Sequence, residues 1–304
     1  MMNEMIKKQN FGVEIEMNNM NRSKAQKIVA KVLGSTNTGY ESSYDNHYVI
    51  DRKGRMWKCE SDSSISGSTC QATELVTPVL QYDDIETLQE VIRALRKEGA
   101  KTDSSCGIHV HVDGSNHTPA SLERLVNFMI ARQDLIYESL EIGERGSRWC
   151  RRLNKELFAA MKKNRNLDRN SLEMLWYSSV NDGYRGGIDH RHYNETRYHG
   201  VNLHAFFTKG TVEFRLFNST LHAGKVKAYI QFCLALSGWA ITSQERIVFR
   251  SMEGYTAEQK VTIMRNILTN RLGLFGDEFK TCRLHLMNPL KKAAGMNVRE
   301  QAAA

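Results

Sequence analysis

Apolar and acidic residues alternate strictly over Phe11-Gly-Val-Glu-Ile-Glu-Met17, which predicts a strand with Phe11, Val13, Ile15 and Met17 on one face and Glu14 and Glu16 on the other. At a rise of about 3.3 Å per residue the two carboxylates stand roughly 6.6 Å apart along the backbone. No cation lies between them in the sequence, so that face is either in water or holding metal. The period of two returns in Gly107–Asp113, where Ile108, Val110 and Val112 oppose His109, His111 and Asp113. It returns again in Thr211–Phe217, where Glu213 and Arg215 oppose Val212, Phe214 and Leu216.

Shorter runs fill in the pattern. Tyr48–Asp51 and Arg55–Glu60 read as a hairpin across Arg52-Lys-Gly54, and Gln71–Thr77 as a strand closed by Pro78. Val201–Phe206 reads as a strand paired with Thr211–Phe217 around Thr208-Lys-Gly210. Spacing of three and four predicts helices over the other apolar segments. One follows a capping box at Ser23 and Gln26 and stops at Gly34; a second runs through Ile85, Leu88, Val91, Ile92 and Leu95. A third opens at Thr118-Pro119 and continues to Leu140; others are expected at Leu153–Met161, Val226–Ile241 and Val261–Leu268. Residues 143–200 are otherwise mixed and polar. Within them Asn181–Gly200 is either a plain surface loop or a lid, with Gly183, Gly186 and Gly187 as hinges and Arg191, Arg197 and Tyr198 as phosphate or substrate contacts. The terminal Ala302–Ala304 carries no structural signal.

Hairpin neighbours make the strands largely antiparallel, so the fold class expected is α+β. The apolar face of the sheet would be covered by the helices at 85–98, 119–142 and 225–241. With no repeat or linker, a single domain over 1–304 is expected, its 304 residues being enough for a sizeable core. No run reaches the 18 or so apolar residues of a membrane span, and Met1–Asn10 lacks the apolar core of a signal peptide. A cytoplasmic protein without a membrane partner follows as the expectation. The six cysteines have no CxxC spacing and are read as reduced thiols. A net charge of +8 favours an anionic partner. It is spread along the chain without dense basic runs, which is equally the pattern of a solvated surface, and nucleic acid is not the expected partner.

The polar sides of these strands change the picture when taken together. If they share one sheet, Glu14, Glu16, Glu60, Glu74, His109, His111, Glu213 and Arg215 gather on one face. Carboxylates at that density repel unless divalent cations intervene, and oxygen-rich sites with an occasional imidazole suit Mg²⁺ or Mn²⁺. Singly, a Glu-x-Glu, a His-x-His or a Glu-x-Arg is as well explained by a solvated edge, a hydrogen-bonded pair or a cross-strand ion pair. Their occurrence in order on period-two strands is the informative feature.

That ordered set is Gly12-Val-Glu14-Ile-Glu16, Glu60, Glu74-Leu-Val-Thr-Pro78, Gly107-Ile-His109-Val-His111, Asn202-Leu and Thr211-Val-Glu213-Phe-Arg215. It resembles the amidoligase family, carboxylate–amine ligases related to glutamine synthetase and glutamate–cysteine ligase. The resemblance covers about residues 10–240, leaving 241–304 as a helical C-terminal extension. It implies a cupped antiparallel sheet of about six strands with helices on one face and Mg-ATP on the other. It also implies phosphorylation of a substrate carboxylate by ATP, with release of ADP, and displacement of phosphate by an amine. By the same resemblance Glu14, His109 and Glu213 would hold the metal bridging the ATP phosphates, and Glu16, Glu60 and Glu74 the one nearer the acyl phosphate. Arg215 would neutralise the transferred phosphoryl group, with Glu74 and Arg215 as the catalytic pair. Arg197, Asn202 and Arg215 would meet the nucleotide, and His111 would either do so or support the sheet. The partners implied are a carboxylate and an amine, from an amino acid, a peptide or a protein tail; the oligomeric state stays open. Two other classes use such a face: a metal-dependent phosphohydrolase or nuclease, and a module that binds nucleotide or nucleic acid without chemistry.

Overall fold

The computed structural model describes residues 2–164, 167–180, 187–249 and 251–298. Its strands are β1 (Phe11–Met17), β2 (Thr38–Glu41), β3 (Asn46–Ile50), β4 (Met56–Glu60), β5 (Thr73–Val76), β6 (Gly107–Asp113), β7 (Val201–Asn202) and β8 (Thr211–Asn218). They form one open sheet in the order β2-β3-β4-β5-β1-β6-β8-β7, and every pairing is antiparallel. The sheet therefore has eight strands, where about six were expected. Part of the difference is β2, an almost wholly exposed edge strand that pairs with β3 through its backbone and has no apolar alternation to betray it.

The helices are α1 (Met2–Lys8), α2 (Arg22–Leu33), α3 (Ile85–Lys97), α4 (Pro119–Ser139), α5 (Arg145–Arg148), α6 (Lys155–Lys163), α7 (Arg169–Ser179), α8 (His204–Lys209), α9 (Ala223–Thr242), α10 (Ala257–Asn266) and α11 (Lys280–Ala293). Their ends follow local chemistry. Thr118 caps α4 in a capping box with Ser121, ahead of Pro119. Asn21, two residues before Ser23, caps α2 by accepting from the Lys24 N–H, and Gly34 closes it in the left-handed region at φ 58°.

Val201–Phe206 is not a strand beyond its first two residues. Leu203 onward turns into α8, closed by Gly210 at φ 76°. All six residues of 201–206 are buried, so their apolar–polar alternation does not report two faces of a sheet.

The apolar face of the sheet meets α2 over β3 and β4 and α9 over β6. Phe11, Val13, Ile15, Met17, Val110, Phe214 and Trp57 are all at most 2% exposed there, each side chain contributing on the order of 1.5–3 kcal/mol of burial. Helix α9 is buried on every side because α1, α3, α4 and α11 surround its remaining faces. Of the three helices expected on the sheet, α3 packs on α2 and α9, and α4 packs on α9, α11 and α6. The C-terminal helices belong to the same buried apolar cluster, which runs from Ile6 to Leu290. No helix among the described residues is long and apolar enough to cross a membrane.

Candidate functional site

Antiparallel register brings the polar positions into rows. Glu60 lies opposite Glu74, and Glu74 opposite Glu16. Glu14 lies opposite Val76 on one side and His109 on the other. His111 faces Glu213, which faces Asn202. Like charges directly opposite in a ladder are destabilising, so the row from Glu60 to Glu16 needs an explanation beyond sheet stability.

Ligand-type atoms converge on two triplets, Glu14 with His109 and Glu213, and Glu16 with Glu74 and His109; within each they all lie within 4.8 Å of one another. His109 belongs to both. Its Nδ1 is 2.9 Å from Glu14 Oε2 and 3.8 Å from Glu213 Oε1, while its Nε2 is 3.7 Å from Glu16 Oε1. Glu60, expected as a ligand beside Glu16 and Glu74, belongs to neither triplet; Lys58 Nζ holds its carboxylate at 3.1 Å.

The surroundings of the two triplets differ. Around the first, Arg215 donates to Glu213 Oε1 at 2.5 Å and Asn202 Nδ2 to Glu213 Oε2 at 2.6 Å. His111 Nε2 lies 3.3 Å from Glu14 Oε1, with its Nδ1 against Thr211 Oγ1 at 2.9 Å. Burial would raise Glu213, but Arg215, then His111 and His109, bring it down to about 2. Burial likewise opposes ionisation of Glu14, and His111 with the hydrogen bonds from both imidazoles holds it well below the usual range. His111 is raised despite burial by Glu14 and Glu213, whereas burial and Arg215 push His109 down to about 4. His109 is thus a neutral imidazole, the form that ligates metal.

Around the second triplet the balance reverses. Burial pushes Glu16 up to about 7, with Arg145 pulling the other way and Asp62 adding to the rise; the Gly107 N–H donates to it at 2.6 Å. Glu74 is held well above its normal range by burial, then by Glu14 and Glu16. The buried Nε2 of His109 has no hydrogen-bond partner. Opposed carboxylates, acceptor-only oxygens and one unpartnered imidazole nitrogen fit one or two hard divalent cations such as Mg²⁺ or Mn²⁺.

Glu14, Glu16, Glu74, His109 and Arg215 line a cavity of about 920 Å³, while Glu213 lines a smaller one beside it. One wall comes from the turns after β2 and β4, with Tyr44, Asp45 and Ser61–Ser64; the other carries Arg145, Arg148, Trp149, Tyr193, Arg197, Tyr198 and Lys209. Arg197 stands on the Tyr193 and Tyr198 rings at 5.7 and 5.6 Å and donates to the His192 carbonyl at 2.9 Å. Arg215 stands over the Tyr198 ring at 5.8 Å. Asn202 lines a smaller adjoining cavity of about 240 Å³ together with His190, His192, His204 and Lys209.

Of the expected lid, Asn181, Gly183 and Gly186 lie outside the described residues. From Gly187 onward the segment is tied down: Asn194 caps the turn Glu195–Arg197, and the Arg151 N–H bonds the Tyr198 carbonyl. Arg191 pairs with Asp189 at 2.8 Å and does not line the cavity.

Sequence reasoning passed over Arg145, Trp149, Asp62 and Lys209. Arg145 and Trp149 sit in a stretch with no period to assign them a face, and only the left-handed turns at Glu141 (φ 50°) and Gly143 (φ 60°) bring them back to the sheet. Gly107 carries a readable signal of a different kind. A Cβ there would lie 2.2 Å from the Arg145 guanidinium, so any other residue would displace Arg145 from this position.

The model of one family, described as "putative amidoligase enzyme", matches residues 7–237. No curated protein matches the chain. Among solved structures the chain is similar to a bifunctional glutathione synthetase from Pasteurella multocida, at 14% identity and a TM-score of 0.40, over 96% of this chain and 49% of that one. It thus spans about half the length of that protein.

Proposed function

This chain belongs to the amidoligase family, and on that premise we propose that it is an ATP-dependent, ADP-forming carboxylate–amine ligase acting through an acyl phosphate. The observation that carries the reading is the pair of triplets sharing His109, the second lining the main cavity and the first reaching from it to the smaller one. Kinship with glutamine synthetase and glutamate–cysteine ligase is part of the same proposal.

Glu14, His109 and Glu213 would hold one Mg²⁺ on the nucleotide side; Glu16 and Glu74, with His109 between the triplets, would hold a second on the acyl side. Glu60 reaches that side only by leaving Lys58. Metal bound there would supply positive charge to the phosphate oxygens, which is most of what phosphoryl transfer asks of a protein. The chain's own groups do the rest. Asn202 and Arg215 fix the Glu213 carboxylate from both sides. The Arg215 face not used by Glu213, whose Nε is buried without a partner, is available to the transferred phosphoryl group. His111 holds Glu14 ionised, and Arg197 on its two tyrosines offers a cation and flat rings to a nucleotide. Asp62 on the cavity lining suits a cationic amine, whereas Asp45 is already paired with Arg22.

The direct test supplies Mg-ATP with panels of carboxylates and amines. ADP and phosphate are expected only when both substrates are present, with loss of at least a thousandfold in Glu213→Ala. AMP and pyrophosphate would overturn the acyl-phosphate route. Cleavage of nucleic acid with Mg²⁺ and no ATP would replace the ligase reading by the hydrolase one.

A further inference from the structure

Arg145 is 5% exposed, yet among the described residues its guanidinium makes a single hydrogen bond, from Nη1 to the Ser105 carbonyl at 3.2 Å. Its Nε is buried with no partner. Among the described residues no carboxylate stands within ion-pair distance of it, Glu16 feeling its charge only from farther off, whereas Arg215 and Lys58 at the same cavity are matched, by Glu213 and Glu60. A guanidinium has five N–H donors and stays charged at any ordinary pH. Buried charges are almost always paired, because leaving one unpaired costs several kcal/mol. The fold nevertheless holds Arg145 in place: the Trp149 and Cys150 N–H groups close a turn on its carbonyl, and Gly107 gives up its Cβ to let the guanidinium lie against the start of β6.

We propose that Arg145 is the anchor for the acceptor substrate's carboxylate, the group that the ligase activates. Three observations point to a carboxylate in particular. Arg145 lines the main cavity, so the missing partner can enter from solvent. It sits on the acyl side, against the same Gly107 whose N–H holds Glu16, while Arg215 is committed to the nucleotide-side triplet. The flat fork of a guanidinium accepts a carboxylate in two parallel hydrogen bonds. A carboxylate so held lies beside Glu16, where a metal would polarise it, in a cavity whose lining also carries Asp62 for the amine. The identity of the group as the reacting carboxylate rests on the ligase reading; anion binding at Arg145 does not.

The test uses the full chain with Mg²⁺ and two probes, sodium acetate and inorganic phosphate, titrated against sodium chloride at constant ionic strength. Wild type is expected to show a saturable rise in Tm with acetate, at least tenfold weaker in Arg145→Met and partly kept in Arg145→Lys. Without probe, Arg145→Met should melt no lower than wild type, since it removes an unpaired buried charge; a supporting role for Arg145 would lower it. The ¹⁵Nε resonance of Arg145, identified by its loss in Arg145→Lys, should shift with acetate, and this arm stands even if Arg145→Met fails to fold. An unchanged acetate response in Arg145→Met, an unmoved Nε resonance, or a response to phosphate without one to acetate would overturn the assignment. If acetate binding depends on Arg145 but no substrate pair yields ADP, the ligase reading fails and the anion site remains. If ADP forms but acetate binding ignores Arg145, the reverse holds.

Discussion

The two ligand triplets share His109 and one sheet face, yet they are built to opposite electrostatic specifications. Glu14 and Glu213 are surrounded by His111, Arg215 and Asn202 and are ionised far below neutral pH. Glu16 and Glu74 face each other across a ladder with no ion-pair partner, and both resist ionisation. The first triplet is balanced by the chain itself and can hold its geometry before anything binds. The second is frustrated until a cation arrives. Such a contrast is expected where one site must be preorganised for phosphate and the other must respond to metal and substrate.

The sharpest way to break the comparison is to strip the first triplet of its cation. Arg215→Met leaves Glu213 buried and unpaired, and a loss of about 3–5 kcal/mol in urea unfolding is expected, with partial recovery in Arg215→Lys. A loss below about 1 kcal/mol would mean that the triplet is not balanced by Arg215.

Acid and base should then act on the triplets at opposite ends of the pH scale. Glu16 has a folded pKa of about 7, above its unfolded value of 4.5. Its contribution to stability is therefore complete below 4.5 and disappears as pH rises through 7, a change of about 3 kcal/mol at 1.36 kcal/mol per unit. The metal-free protein should melt progressively lower from pH 5 to pH 8, Mg²⁺ should restore the melting temperature, and Glu16→Gln should flatten the profile. For Glu213 the sign is reversed. Its folded pKa of about 2 lies below 4.5, so its contribution is present above 4.5 and lost as pH falls toward 2. A metal-free melting temperature that rises between pH 5 and pH 8 would contradict the frustrated state of the second triplet.

The smallest effect is expected at the margin. Lys58 and Glu60 are partly exposed, so Lys58→Ala should change stability by less than about 1 kcal/mol. It should nevertheless raise Mg²⁺ affinity if freeing Glu60 lets it join the acyl-side triplet. Unchanged Mg²⁺ affinity would leave Glu60 outside the metal site.

The gathering of these side chains was legible before the structure; their opposite electrostatics were not. Strands whose two faces meet different environments write their register in a period of two, and β1, β6 and β8 bring Glu14, Glu16, His109, His111 and Glu213 together as that period implies, up to a bulge in β8 at Arg215 and Leu216. The reading failed where burial does not alternate. Residues 201–206 are buried throughout, and their true signal was the Asn202 side chain, which accepts from the Ala205 N–H at 3.4 Å, with Gly210 as the stop. Edge strand β2 is held by backbone pairing, which no side-chain pattern records. Arg145 was invisible for a third reason: its role depends on a turn after α4 and on the missing Cβ of Gly107, two features more than 30 residues apart in sequence.

The division between the triplets is tested most directly by calorimetric titration of Mg-ATP into wild type, Glu14→Gln and Glu16→Gln. Binding should persist in Glu16→Gln and be lost in Glu14→Gln, because only the latter removes a ligand proposed for the nucleotide side. Retained binding in Glu14→Gln with loss in Glu16→Gln would reverse the assignment, and no binding to the wild type would remove ATP from the account.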